Sequence, residues 1–213
     1  MEGRLQAKVF RTLSGEGRAE LEIKHSRFLA IAAPAVDETA ARALIAGERA
    51  RYPEANHHTF AYRLGTDGAI SRFSDDGEPG GTAGRPIMEV LLREELVDVA
   101  VVVSRYFGGI LLGSGGLTRA YGQAAAQAIH AAGARRMLPH TLMRAVISYA
   151  QAGALEQALT LSGRPIRGIE YTDTVTLTVP VLAGDEDTFR TLVADVTSGT
   201  GSVEAGALLY LPE

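Results

Sequence analysis

The apolar and polar positions of the first 133 residues read as strands, one helix, then further strands and helices set around two Gly-rich loops. Residues 7–13 and 19–23 are short and partly alternating, with Ser14-Gly15-Glu16-Gly17 as a turn between them. An apolar strand at 27–33 is ended by Pro34. Asp37 is placed to cap a helix that runs to Tyr52 and is stopped by Pro53. Residues 58–64 alternate as a strand, and 69–73 form its partner after Gly65-Thr66-Asp67-Gly68. A Gly-rich loop spans 74–85, and Pro86 suits the first turn of a helix ending near Glu95. The run 99–104 has the length of a buried strand. A second Gly-rich loop, 108–116, feeds an Ala-rich helix closed by Gly133.

After residue 140 the grammar changes. A strand at 142–149, a helix at 154–161, strands at 167–171 and 175–179, a helix capped by Asp185 and a strand at 203–211 make the order βαββαβ. That is the split βαβ, ferredoxin-like order. The expected division is therefore 1–138 and 139–213, in an α+β chain.

Composition narrows the chemistry. The 213 residues hold no Cys, which excludes disulfides, thiolate metal sites, Fe–S clusters and cysteine nucleophiles. The first five residues have no apolar core of a secretory signal, and no apolar run approaches a membrane span, so a cytoplasmic protein without membrane attachment is expected. The net charge of −4 is unevenly spread. Residues 151–213 carry three basic and nine acidic side chains, which leaves the first 150 residues at +2. Between Asp98 and Glu156 there is no acidic residue, while Arg105, Arg119, Arg135, Arg136 and Arg144 lie there. Such a stretch suits a local positive face.

The first loop carries Asp75, Asp76 and Glu78, with Gly77, Gly80, Gly81 and Gly84 around Thr82, and ends at Arg85. Its glycines allow close backbone approach, and its carboxylates are the one candidate site for Mg²⁺, ranked behind a solvated turn. The second loop runs from Arg105-Tyr106-Phe107 through Gly108, Gly109, Gly113, Ser114, Gly115 and Gly116 to Arg119 and Tyr121. It leaves a strand and opens a helix, so its backbone N–H groups suit an anion such as phosphate, with Arg105 and Arg119 adding charge. It matches neither the P-loop nor the dinucleotide fingerprint. Adjacent His57 and His58 point to opposite faces of a strand, so they do not form one metal site, and one of them is placed to line the loops. No catalytic set emerges.

The segments Arg72-Phe73-Ser74-Asp75-Asp76-Gly77-Glu78-Pro79, Gly81-Thr82-Ala83-Gly84, Ser104-Arg105-Tyr106-Phe107-Gly108-Gly109 and Gly113-Ser114-Gly115-Gly116-Leu117-Thr118-Arg119-Ala120-Tyr121 closely resemble the YigZ/IMPACT family in its bacterial two-domain form. His57 matches the family's histidine. The chain departs from the family pattern at Gly80, at Leu111, where a Lys is expected, and at His58-Thr59. The resemblance implies a ribosomal protein S5 domain-2-like domain followed by a ferredoxin-like domain similar to the last domain of elongation factor G. It also implies a link to translation control, with bacterial members suspected of binding nucleic acid or ribosomes.

The expectation is thus a non-enzymatic, translation-linked regulator that needs no cofactor. Its first domain is expected to bind RNA or a ribosome-associated complex through Arg85, Arg105, Arg119 and the second loop, with Tyr106, Phe107 and Tyr121 as stacking candidates. A phosphate-handling enzyme or nucleotide-binding protein using both loops, and a module that binds only protein, are the alternatives.

Overall fold

A computed structural model describes residues 8–213 of the chain. The first five residues, on which the signal expectation rests, and Ala7, which opens the first expected strand, lie outside the described residues. The chain divides into a unit Phe10–Arg136 and a unit containing Met137–Glu213.

The first unit contains β1 (Phe10–Leu13), β2 (Gly17–Ile23), β3 (Ser26–Pro34), α1 (Glu38–Arg51), β4 (His57–Leu64), β5 (Ile70–Ser74), α2 (Gly84–Arg93), β6 (Val99–Tyr106) and α3 (Ser114–Ala132). Strands β2-β3-β6-β4-β5 form one antiparallel sheet. The apolar run of β6 lies at its centre and is buried on both faces, which is why it shows no alternation. Val99, Val101 and Val103 meet Ile87 and Leu91 of α2 and Ala124, Ala125 and Ala128 of α3. Ala100 points the other way, to a smaller core of Tyr62, Leu64 and Ala41 under α1. The alanines of α3 let it approach the sheet closely: a Cβ on Gly17 would overlap the backbone of Ala128 and Ala132. Asp37 caps α1 by accepting from the Ala40 N–H at 2.7 Å.

In the second unit β7 (Ala134–Ile147), α4 (Tyr149–Leu161), β8 (Gly168–Tyr171), β9 (Val175–Leu182), α5 (Glu186–Thr197) and β10 (Ser202–Pro212) follow one another as βαββαβ. The antiparallel sheet order is β10-β7-β9-β8. Met143, Leu177, Val179, Leu155, Leu159, Phe189 and Val193 fill its core. Three expectations are corrected here. Strand β7 begins eight residues before the expected 142; from Met137 onward its early residues are held by backbone pairing to β10, which needs no apolar period. Tyr149 starts α4 rather than ending a strand, since Ser148 and Gln151 form a reciprocal capping box. Asp185 stands at the cap of α5, but its side chain accepts no capping bond.

Candidate functional site

The loop between β5 and α2 is held by its own acids. Gly84 packs so tightly that an added Cβ would lie 2.6 Å from the Ser74 carbonyl oxygen. Asp75 Oδ1 accepts from the N–H groups of Ala83 at 3.0 Å and Gly84 at 2.8 Å, and Oδ2 accepts from Gly81 at 2.8 Å. These satisfy the open donors at the start of α2, which has no cap from its own preceding residue. Thr82 is buried and donates to the Pro79 carbonyl at 2.7 Å. Asp76 takes a left-handed φ of 43° and divides its carboxylate between the His58 N–H and the Arg49 guanidinium, each at 2.6 Å. Each Asp of the first loop is thereby engaged by protein donors.

Burial pushes the Asp75 carboxyl up, but its three backbone donors outweigh this and hold it below the usual aspartate value of 3.8. Its stabilising effect is therefore fully present above that value and is lost as pH falls through the depressed folded value. Asp75→Asn is expected to cost about 1 kcal/mol at neutral pH. In urea titrations at stepped pH, the gap to the native chain should close below about pH 4. A gap that stays constant down to pH 2 would contradict this.

Glu78 leaves the loop inward and is 8% exposed. Its Oε1 accepts from Arg105 Nη1 and from the Tyr121 hydroxyl, both at 2.6 Å. Arg105 Nη2 and the Gly108 N–H converge on Ser26 Oγ at 3.2 and 3.1 Å. The guanidinium lies 5.4 Å from the Phe28 ring centre and 5.5 Å from that of Phe107, and Phe28 meets Tyr121 edge-on. Burial, then the bond to Glu78, drives the Tyr121 hydroxyl well above its ordinary range, so it stays a neutral donor. His57 Nδ1 donates to the Asp76 carbonyl at 2.8 Å, and its Nε2 lies 3.9 Å from Glu78 Oε1. The neighbouring His58 is buried, hydrogen-bonded to Ser104 Oγ, and desolvation followed by the Arg49 charge lowers its pKa.

The structure thus joins Arg105, Tyr121 and His57 around Glu78, and Arg105 and Gly108 on Ser26. Gly108 is required there because a Cβ would overlap the His25 carbonyl and the Ser26 amide. Arg105, 5% exposed, does not share an exposed face with Arg85 and Arg119. On β6 it pairs in register with Phe28 and His57, and it points into the layer under α2 and α3. Arg85 is exposed and pairs with Glu89 at 3.1 Å, and Tyr106 lies half-buried beside Arg27. Gly109 and Gly113 take positive φ, and Gly113 places no side-chain cap on α3. Ser114, Gly115 and Arg119 are exposed; Gly116 packs on Leu112. A groove of about 460 Å³ between α2 and α3 is lined by Arg93, Thr118, Arg119 and Gln123, with Glu89 its one acid. Sequence reasoning missed Ser26, Phe28, Asn56 and Arg49. Asn56 Oδ1 accepts from the Phe107 N–H at 2.8 Å. Their roles arise from partners distant in sequence, and no motif marks them.

Residues 24–129 match the Impact N-terminal domain, and residues 146–200 match a domain of unknown function, DUF1949. The chain is 33% identical to the IMPACT family member YvyE of Bacillus subtilis, over 94% of this chain and 92% of that one. It is 37% identical to the IMPACT family member YigZ of Escherichia coli, over 84% and 89%. A crystal structure of an hypothetical protein, 33% identical, superposes with a TM-score of 0.62 over 94% of this chain and 98% of that one. With this similarity running through both units, the chain belongs to the IMPACT family.

Proposed function

We propose that the chain is a non-enzymatic, cytoplasmic, translation-linked regulator whose first unit binds RNA, alone or within a ribonucleoprotein. The observation that carries this reading is the start of α3. Its N–H groups lack a side-chain cap, Arg119 stands beside Gly115, and the helix contains no acid. Uncapped N–H groups and the helix dipole favour phosphate, and Arg119 adds a charged fork. The adjoining groove continues this surface with Thr118, Gln123 and Arg93. Arg105 serves the reading indirectly, by fixing the loop that presents α3. Asp75, Asp76 and Glu78 are all engaged by protein donors, which supports the non-enzymatic reading over an enzymatic use of the two loops.

Filter binding of single-stranded RNA at several salt concentrations tests this. Arg119→Ala and Arg93→Ala should each weaken binding evenly across sequences and reduce the salt slope by about one. No salt-dependent binding by the whole chain would sink the reading. Binding that ignores both substitutions would move it away from α3.

A further inference from the structure

On the opposite face of the same sheet, α1 and the β4–β5 pair enclose a groove of about 430 Å³. Its helical wall is the stripe Arg42, Ile45, Ala46 and Arg49, whose spacing puts both guanidinium groups on one side of α1. Across from them Arg72 stands on β5, in register with Tyr62. The floor is aromatic: Phe60 and Tyr62 lie with ring centres 6.0 Å apart and planes 6° from parallel. Phe73, next along the edge strand, borders the groove, but its register with Ala61 puts its side chain on the other sheet face.

Charge in this groove is one-sided. Three arginines line it and no carboxylate does. The neighbouring acids are Glu38, 3.8 Å from Arg42, and Asp76, 2.6 Å from Arg49. Glu38 is drawn further toward the floor by the Tyr62 hydroxyl at 2.7 Å. Arg72 makes no ion pair among the described residues. Burial, then the bond to Glu38, raises the Tyr62 hydroxyl above its ordinary value, while Arg42 and Arg72 line the groove from opposite walls. An arginine fork matches phosphate in geometry and charge, and an exposed aromatic surface accepts any flat base. The volume lies within the range of small-molecule sites.

We propose that the groove between α1 and β4–β5 binds a nucleotide, with its base against Phe60 and its phosphate held by Arg42 and Arg72. Arg49 is tethered to Asp76 and shapes the end of the groove nearest the first Gly-rich loop. The proposal does not depend on RNA binding at α3. The ligand has two sources, a free mononucleotide or one nucleotide of a single strand, and they share this chemistry.

Calorimetric titration of the whole chain separates the outcomes, with adenosine 5′-monophosphate, adenosine, inorganic phosphate and single-stranded oligoadenylate as probes. Adenosine monophosphate should bind at one saturable site, at least about tenfold more tightly than adenosine or phosphate alone. Arg42→Gln and Arg72→Gln should each weaken it about tenfold with the melting temperature unchanged, since both side chains are exposed. Arg119→Ala should leave it intact. Oligoadenylate binding more tightly than the monomer, and still sensitive to Arg72→Gln, identifies a strand as the source; equal affinity identifies the free nucleotide. The proposal is overturned if neither adenosine monophosphate nor oligoadenylate saturates, if binding ignores both glutamine variants, or if adenosine or phosphate alone binds as tightly as the nucleotide.

Discussion

Arg105→Met is expected to lower the unfolding free energy of the first unit by about 3–5 kcal/mol, the usual cost of stranding one partner of a buried ion pair. The substitution removes the counter-charge from Glu78, whose side chain is 3% exposed, and leaves Ser26 Oγ with one donor fewer. Glu78→Gln should cost a similar amount, because it strands the guanidinium and weakens the acceptor of Tyr121. The double variant Arg105→Met with Glu78→Gln should lose clearly less than the two single losses added together, since no buried charge is then unpaired. Urea unfolding of the whole chain, followed by circular dichroism, measures all three. Single losses below about 1 kcal/mol, or strict additivity, would show that the pair does not hold the loops. A large loss also has a functional reading. Reduced RNA binding by an Arg105 variant would then report a displaced loop rather than a missing phosphate contact.

Gly108→Ala should be nearly as damaging, by about 2–3 kcal/mol. The added methyl would be driven into the His25 carbonyl and the Ser26 amide, which are backbone and have no rotamer to move aside. The turn before β3 offers little slack, since Lys24 and His25 already take positive φ of 47° and 64°. Displacing that turn also pulls Ser26 Oγ from Arg105 and from the Gly108 N–H. Gly115→Ala is the contrast: its Cβ meets only the Arg119 side chain at 3.6 Å, inside the first turn of α3. It should be neutral or stabilising by up to about 1 kcal/mol. Melting temperatures of the two variants decide the point. If Gly108→Ala melts with Gly115→Ala, the close approach is not a constraint.

These two positions show how differently neighbouring motif residues were legible. Both glycines stand in the second loop, and the sequence offers the same reasons for each: a tight turn, a close approach or an open helix start. Only the approach of the β2–β3 turn assigns the close contact to Gly108 and leaves Gly115 open to solvent. The carboxylates divide in the same way. Asp75, Asp76 and Glu78 look alike as a cluster, yet one caps α2, one ties β4 to α1, and one is buried against Arg105.

What the sequence determined by itself is the local part: the order of elements, the βαββαβ pattern of the second unit, the caps at Asp37 and Gly133, and the places of the two Gly-rich loops. Hydrophobic period, capping and turn chemistry act over a few residues, so a reader of the chain sees them directly. The tertiary structure alone decided which charges face water. Arg105 is buried because Ser26, 79 residues away, and Glu78, 27 away, close around it. Glu78 is in turn held by Tyr121, 43 residues further on. The arginines of the α1 groove belong together only because α1 packs over β4 and β5. Burial and electrostatic partnership are properties of what packs onto a residue from distant parts of the chain, and no local pattern records them.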